Sequence, residues 1–173
     1  MSNTYSFTCQ CCGKVYNEVP LCFGTDYPYF YYSLPLDEIG TRVELTESLC
    51  VIDERYFFHR GRITIPIVDY HEDLIFNVWT TISEENFRLR NDVWHDDDRT
   101  KHGPYFGWLQ TIVPTYDQTI NIKTMAYENE PGLIPTIKVI EDLHPLKTDQ
   151  EKGITFKEAL EKVQIIMANS HKK

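Results

Sequence analysis

The chain has 173 residues, of which 42% are hydrophobic and 25% are charged, and its formal net charge is −9. This length and composition predict a single domain over residues 1–173, in which a Cys- and aromatic-rich segment at 1–32 precedes an α+β body at 33–173. The negative field repels phosphate backbones and anionic lipid, so it argues against nucleic acid and membrane surfaces as partners and favours a basic protein partner.

The first residues of the chain carry no secretory pattern. Met1–Ser6 has neither a basic nor an apolar region, and no apolar run in the chain approaches the ~20 residues of a membrane span. The five cysteines are an odd number, which favours thiols or a metal site in a reducing compartment over a disulfide framework. We therefore expect a cytoplasmic protein.

A Cys-x-x-Cys motif opens the chain, with Phe7 before it and Gly13 directly after it. This spacing lets one turn present the Cys9 and Cys12 thiolates to a tetrahedral zinc ion, and Gly13 permits a tight turn. The motif predicts a Cys-rich knuckle or ribbon with half of a structural zinc site. Cys50 is our candidate for a third ligand. The alternatives for the missing ligands are Cys11, Cys22, His59 and His144.

The same motif has a redox interpretation, because a catalytic Cys-x-x-Cys usually opens a helix whose N-terminus lowers the thiol pKa. Gly13, Val15, Val19 and Pro20 instead indicate a loop or hairpin after the motif. The sequence therefore disfavours thioredoxin-like chemistry.

An aromatic run follows in the same N-terminal segment. It consists of Tyr27, Tyr29, Phe30, Tyr31 and Tyr32. Tyrosine is favoured at the energetic centres of protein interfaces, so we predict that these residues anchor an interaction surface. The alternative is that some of the rings pack beneath the sheet as ordinary core.

Strand and helix patterns fill the rest of the chain. The predicted strands are Leu49–Ile52, Tyr56–Phe58 up to a turn or bulge at Gly61, Ile63–Ile67, Leu74–Ile82, Tyr105–Val113, Thr119–Tyr127 and Pro135–Leu143, with helices starting near Ser33, Ser83 and Thr155. Connections between consecutive strands are too short for crossover helices. The sequence thus predicts an α+β fold with packed helices on an antiparallel sheet of about five or six strands.

The last helix has the clearest pattern. Thr155–Glu158 forms a capping box at its start. Phe156, Leu160, Val163 and Met167 then repeat at helical spacing. We expect this amphipathic C-terminal helix to dock on the sheet through that face.

Complete catalytic motifs are lacking in the sequence, which has no G-x-S-x-G, Walker loop or G-x-G-x-x-G. Cys50 and His59 resemble a Cys–His pair, but Cys50 lies in an apolar strand and is interpreted as core. The acidic, His-containing segments 71–73 and 95–102 lack the spacing of H-E-x-x-H and are interpreted as solvated loops.

Two arginines flank Gly61 in the predicted strand region. We expect Arg60 and Arg62 to pair with nearby acids such as Asp53 and Glu54. The alternative is that one of them binds an anion.

The ordered set of motifs resembles the bacterial domain-of-unknown-function family 2199. The residues that carry this resemblance are Phe7-x-Cys9-x-x-Cys12-Gly13, Phe23-Gly24, Leu49–Asp53, Phe57-Phe58-x-Arg60-Gly61, Ile65–Ile67, Ser83–Phe87, Tyr105–Leu109 and His144–Leu146. The resemblance spans residues 7–165 and implies a bacterial, cytosolic, single-domain protein without an assigned activity. Members often have a His where this chain has Tyr16, so that metal ligand is missing here.

Taken together, these patterns favour a non-enzymatic protein-interaction module. One version is an immunity-type protein that covers the active site of a basic toxin, since charge complementarity speeds association. The alternative is a zinc-binding regulator or metal-dependent enzyme that uses the N-terminal Cys-x-x-Cys. A small-ligand binder that uses the aromatic run is a third hypothesis.

Overall fold

Short strands and helices alternate along residues 6–170, the part of the chain that the computed structural model describes. The strands are β1 (Phe7–Thr8), β2 (Val15–Tyr16), β3 (Cys22–Gly24), β4 (Val43–Leu45), β5 (Leu49–Ile52), β6 (Tyr56–Ile65), β7 (Leu74–Thr81), β8 (Tyr105–Trp108), β9 (Lys123–Tyr127) and β10 (Thr136–Val139). The α-helices are α1 (Ile39–Arg42), α2 (Glu84–Asp92), α3 (Pro145–Lys152) and α4 (Phe156–Ser170). Residues 1–5 and 171–173 of the predicted domain lie outside the described part.

The main sheet is mixed and, in the described residues, has eight strands. Its principal order is β3-β7-β6-β10-β9-β8, and β5 and β4 extend from one end of β6. Most neighbours are antiparallel, but β3 runs parallel to β7 and β10 runs parallel to β6. The α+β class is therefore confirmed, whereas the prediction of a purely antiparallel sheet of about five or six strands is wrong.

The error has a topological cause. Short links between consecutive strands force antiparallel pairing, but this rule does not apply to strands that are far apart in the chain. Between β6 and β10 the chain forms β7, α2, β8 and β9, so it has ample length to return in the parallel direction. The strands β3 and β4 are three residues each, too short to show an alternating pattern in the sequence.

The sheet curls until the end of β8 meets β7. Thr80 and Leu109 form an isolated antiparallel bridge, and the backbone amide of Gln110 donates to the carbonyl of Trp79 at 2.7 Å. Gly107 makes this approach possible, because a Cβ at that position would collide with the Thr81 carbonyl oxygen. The strands β6 to β10 consequently curve around an apolar interior to which each of them contributes buried side chains.

Strand β6 continues through the predicted turn at Gly61. Gly61 faces inward, and the side chain of Ile137 on β10 occupies the space that a Cβ would need. The strand therefore alternates in a regular way: Ile63 and Ile65 are buried on the inner face, while Arg60 and Arg62 lie on the outer face.

Two apolar clusters form the core. The larger one lies between the inner face of the sheet and the two C-terminal helices, to which α3 contributes Leu146 and α4 contributes Val163. The smaller one lies on the other side of β5, β6 and β7. Its buried members are Leu34, Cys50, Ile52, Phe58 and Trp79.

Two helices begin where their sequence signals predict. The Ser83 hydroxyl caps α2 by accepting from the Asn86 backbone amide at 3.1 Å. At α4 the Thr155 hydroxyl accepts from the Glu158 amide at 3.1 Å, and the Glu158 carboxylate accepts from the Thr155 amide at 2.7 Å. The predicted capping box is thus confirmed.

The predicted docking face of α4 is also confirmed. Val163 is fully buried in the larger cluster, and Phe156, Leu160 and Met167 are half-buried against it. Ile166 is buried as well, which widens the docked face beyond the predicted stripe.

The helix predicted from Ser33 is largely wrong. A 3-10 turn at Leu36–Glu38 leads into the four-residue α1, where Gly40 lowers helix propensity and β4 follows at once. Conversely, α3 was not predicted, although Pro145 at its first turn and His144 at its cap are helix-start signals. Within the described residues no helix is long and apolar enough to span a membrane.

Candidate metal centre

A short hairpin, the N-terminal ribbon, carries the Cys-x-x-Cys motif. Its strands β1 and β2 pair antiparallel, which agrees with the predicted hairpin and not with a helix after the motif. In the connecting turn the Cys9 amide donates to the Lys14 carbonyl at 2.9 Å, and the Gly13 amide donates to the Cys9 carbonyl at 2.8 Å. Gly13 has φ +72°, the left-handed conformation that the motif's glycine predicts.

Three sulfur atoms converge in this turn and form the three-cysteine cluster of Cys9, Cys11 and Cys12. Their Sγ atoms all lie within 4.8 Å of one another, and the cluster can hold a metal ion. Cys9 is buried, whereas Cys11 and Cys12 are exposed. Within residues 6–170 no fourth His, Cys, Asp or Glu side chain joins this group.

The thiols of the cluster change one another's pKa values. The Cys9 and Cys11 sulfurs lie 3.0 Å apart, within hydrogen-bond distance. A hydrogen bond from the Cys11 thiol lowers the pKa of Cys9 to about 7, and the same interaction raises the pKa of Cys11 to about 11. Since the thiolate is the metal ligand, a lowered pKa at one thiol of the cluster favours metal binding near neutral pH.

Hydrogen bonds attach the N-terminal ribbon to α4. The Gln10 amide donates to Gln164 Oε1 at 3.0 Å, and Gln164 Nε2 donates to the Thr8 carbonyl at 3.0 Å. The Cys11 thiol also faces the Met167 carbonyl at 3.9 Å. The three-cysteine cluster therefore lies where the two ends of the described chain meet, a juxtaposition of residues more than 150 positions apart that no local pattern encodes.

Cys50 lies elsewhere. It is fully buried in the smaller core cluster, and burial raises the pKa of its thiol to about 12. Its strand partner is Phe58, while the neighbouring Leu49 pairs with His59. Successive side chains of a strand point to opposite faces, so Cys50 and His59 cannot form the Cys–His pair considered from the sequence.

The other candidate ligands also have separate roles. The His144 imidazole accepts from the Leu146 amide at 3.1 Å and caps α3. The exposed Cys22 lies on β3, where Asn77 Nδ2 donates to its sulfur at 3.6 Å. Of the residues proposed for the metal, the structure brings together Cys9, Cys12 and Cys11.

A buried charge network surrounds His59, and sequence reasoning missed it. The guanidinium of Arg90 donates to the carboxylate of Glu128 and lies 3.0 Å from the His59 ring. Arg99 is buried beside the same carboxylate, and its guanidinium group forms a cation–π contact with the Trp94 ring. Burial and, next, the Arg90 charge lower the pKa of His59 well below its usual value.

This network shows that segment 95–102 is only partly a solvated loop. Arg99 donates to the Asn129 carbonyl at 2.7 Å, to the Trp94 carbonyl at 3.2 Å and to the Leu133 carbonyl. It thereby clamps the loop after α2 to the β9–β10 connection. A buried arginine in a charged stretch leaves no signal in the sequence, because two of its three carbonyl partners lie 30 or more positions away.

The aromatic run divides between packing and exposure. Tyr29 and Tyr32 are 48% and 59% exposed. Tyr27 stacks on Tyr31 with ring centres 3.9 Å apart. Phe30 packs against the smaller core cluster. The side chains available to a partner are therefore the two exposed tyrosines.

The predicted pairing of Arg60 or Arg62 with Asp53 is not formed. Asp53 instead binds Arg42 in a two-pronged pair with both distances at 2.7 Å, and this hydrogen bonding lowers the pKa of the carboxyl group. Arg60 and Arg62 face a separate cleft on the outer surface of the sheet.

Comparison with known proteins bears on the family alone. The sequence profile of one family, described as an uncharacterized protein conserved in bacteria (DUF2199), matches residues 8–154. Curated proteins and solved structures give no match. The matched segment contains the three-cysteine cluster and all elements from β2 to α3, and it ends before α4. Because the match covers most of the chain, the chain belongs to the bacterial domain-of-unknown-function family 2199.

Proposed function

We propose that this protein binds zinc through the thiolates of Cys9, Cys11 and Cys12. The observation that carries the proposal is the mutual approach of the three sulfurs to within 4.8 Å. Tetrahedral zinc with Zn–S bonds of about 2.3 Å needs sulfurs about 3.8 Å apart, a spacing that small side-chain rotations reach from this arrangement. Thiolate ligands select zinc over the hard cations calcium and magnesium.

The role we assign to the ion is structural. The N-terminal ribbon has two strands of two residues each, and a hairpin of that size is not stable alone in water. Its described ties to the rest of the fold include the hydrogen bonds of Gln164, the approach of the Cys11 thiol to the Met167 carbonyl and the packing of Phe7 in the larger core cluster. A bound zinc ion would fix the turn and so hold the ribbon against the helix.

The fourth ligand decides between a closed structural site and an open one. A water in that position suits catalysis, whereas a fourth protein ligand closes the site. Within residues 6–170 the cluster supplies three protein ligands, so the fourth position falls to a water or to a group outside these residues.

Zinc competition with a chromophoric chelator tests the proposal on untagged protein. We expect one equivalent of zinc, and a loss of about a hundredfold in affinity for each of Cys9→Ser, Cys11→Ser and Cys12→Ser, since the binding free energy is shared among four ligands. The matched control is Cys22→Ser, which removes an exposed thiol outside the cluster. No zinc binding by the unaltered protein, or an equal loss in the control, contradicts the proposal.

A second function has its own support: a protein-interaction module for a basic partner. Tyr29, Tyr32 and Leu36 are exposed on the segment before α1, and Leu36 is 89% exposed. Acidic groups lie beside them, since the exposed Asp37 and Glu38 directly follow Leu36 and the Asp26 carboxylate acts on Tyr32. Aromatic anchors among acidic groups suit a basic surface, such as the active site of a toxin in the immunity-type version.

Site-specific photocrosslinking tests this second function. A photoreactive phenylalanine at Tyr32 is expected to capture a basic protein in the host cell, whereas the same group at the exposed Ile165 of α4 is the control. The purified pair is then expected to associate more slowly as salt rises, because surface fields are screened over about 10 Å at 0.1 M. Capture of an acidic protein, or equal capture from both positions, contradicts it.

A further inference from the structure

A cleft of about 510 Å³ opens on the outer face of the sheet, away from the three-cysteine cluster. Its floor is formed by Arg60 and Arg62 of β6 with Asn77 of β7. One wall is the β4–β5 turn at Glu47 and Ser48, and the other is the β9–β10 connection, residues 129–134. The cleft thus combines two cations with walls from different parts of the fold.

The two guanidinium groups have no carboxylate partner within residues 6–170. No ion pair at 4.0 Å or less includes Arg60 or Arg62. Their side-chain hydrogen bonds are long: Arg60 Nη1 donates to the Glu47 carbonyl at 3.5 Å, and Arg62 Nε donates to Asn77 Oδ1 at 3.5 Å. Most of their N–H groups therefore remain available to a ligand.

Of the two arginines, Arg60 gives the stronger indication of a ligand site. Its Nε is shielded from solvent and has no hydrogen-bond partner among the described residues. A shielded charged donor without an acceptor costs free energy, and a rotation of the Arg60 side chain toward an acceptor in the cleft would recover it. The chain has 26 acidic and 17 basic residues, yet no carboxylate among the described residues forms an ion pair with Arg60.

The wall formed by residues 129–134 is held in place. Asn129 Nδ2 donates to the Ile134 carbonyl at 2.8 Å and to the Thr136 hydroxyl at 3.1 Å. The buried Arg99 clamps the Asn129 and Leu133 carbonyls from behind. The cleft is consequently shaped before any ligand arrives, which reduces the entropic cost of binding.

We propose that this cleft binds a small molecule that carries a phosphate group. Arg60 and Arg62 are two residues apart on one strand, so their Cα atoms are about 6.6 Å apart. Their two guanidinium groups can therefore approach one ligand from neighbouring positions. A phosphate offers oxygens in several directions and a double charge, and can occupy both forks. A carboxylate has one edge and one charge, which a single fork satisfies. The exposed Leu133 and the adjacent Ile134 offer an apolar wall for the organic part.

Glu47 is the opposing charge in this cleft. Glu47 is exposed and lines the cleft, so its negative charge repels a dianion there. We therefore expect Glu47→Gln to tighten phosphate binding by about twofold to fivefold, the size of one screened charge interaction. This change leaves the two arginines in place and isolates the electrostatic contribution.

Isothermal titration at constant ionic strength tests the proposal, with inorganic phosphate, phenyl phosphate and benzoate as probes. Arg60→Gln and Arg62→Gln are each expected to weaken phosphate binding by about tenfold or more, the loss of one charge-assisted hydrogen bond. Arg88→Gln is the matched control, because Arg88 is exposed on α2 and pairs with Glu84. In nitrogen NMR spectra the Arg60 Nε signal is expected to shift on phosphate addition.

The conservative substitution Arg60→Lys distinguishes a lost ligand contact from misfolding of the Arg60→Gln variant. It keeps the charge but loses the planar fork, so its affinity is expected to lie between those of the unaltered protein and Arg60→Gln. Three outcomes overturn the proposal: no saturable phosphate binding up to about 20 mM, which would saturate a millimolar site; equal weakening in Arg88→Gln; or benzoate that binds as tightly as phenyl phosphate.

Discussion

Glu128 shows how strongly one residue can matter in the interior of this fold. Its carboxylate is the buried anion between Arg90 and Arg99, and the side chains of all three are almost completely shielded from water. Replacement by an uncharged amide would leave two buried guanidinium groups without an anion. Breaking a buried pair in this way costs several kcal/mol, because the remaining charge stays desolvated.

We predict that Glu128→Gln lowers the free energy of unfolding by about 3–5 kcal/mol. The matched control is Glu84→Gln, which breaks an exposed ion pair with Arg88 and should cost at most about 1 kcal/mol. Urea unfolding followed by far-UV circular dichroism measures both changes. Equal effects of the two substitutions would show that the network is not buried as described.

At the same scale, the sequence identified residues whose geometry is local. Cys9 and Cys12 were predicted because a fixed spacing within one turn brings two thiols together. Cys11 remained only an alternative, since its inclusion depends on the exact path of the turn. Glu128 and Arg99 could not be predicted, because their partners come from segments about thirty positions away and charged residues are rarely buried.

At the scale of one element, α4 offers a direct test of the docked face. Ile165 and Ile166 are neighbours of identical chemistry, but Ile165 is 51% exposed and Ile166 is 8% exposed. We predict that Ile166→Ala lowers the free energy of unfolding by about 2–5 kcal/mol, as for other buried aliphatic truncations. Chemical denaturation measures this value.

Ile165→Ala serves as the control for that measurement. An exposed apolar side chain contributes little to stability, so we expect a change within about 0.5 kcal/mol. A larger loss for Ile165→Ala than for Ile166→Ala would mean that the helix docks through a different face.

Helices were predictable from the sequence where a capping residue directly precedes a run of apolar residues at helical spacing. The helices α2 and α4 each follow a capping residue with acids in the first turn, so their starts are readable from the sequence. The strand β6 was divided in two at Gly61, because glycine usually marks a turn or bulge. In the structure Gly61 leaves room for the Ile137 side chain on the neighbouring strand β10, and this requirement depends on tertiary packing.

At the scale of the whole molecule, Gly107 governs how the sheet closes. A Cβ at this position would collide with the Thr81 backbone carbonyl, which cannot rotate away. We predict that Gly107→Ala lowers the free energy of unfolding by about 1–3 kcal/mol, the usual cost of overpacking. Thermal and urea unfolding measure the loss.

Gly40→Ala is the control for sheet closure. Gly40 lies in α1, and a Cβ there would contact no atom within 4 Å. The change should be neutral or stabilise the protein by up to about 1 kcal/mol, because alanine favours helix and restricts the unfolded chain. Destabilisation by Gly40→Ala as large as that by Gly107→Ala would contradict the proposed role of the close approach.

The overall topology was only partly predictable. The fold class follows from the mixture of strand and helix patterns, but the parallel pairing of β6 with β10 is a long-range choice. The meeting of the N-terminal ribbon with α4 through Gln164 is likewise invisible in local patterns. These two features place the three-cysteine cluster and the cleft at Arg60 and Arg62 on separate parts of the molecule.

X-ray absorption at the zinc edge of the zinc-loaded, full-length protein tests the central claim most directly, because it counts the sulfur ligands. The account predicts three sulfur neighbours at about 2.3 Å, reduced to two in Cys11→Ser and unchanged in Cys22→Ser. A first shell made only of nitrogen and oxygen, or one with two sulfurs that Cys11→Ser leaves unaltered, would contradict it.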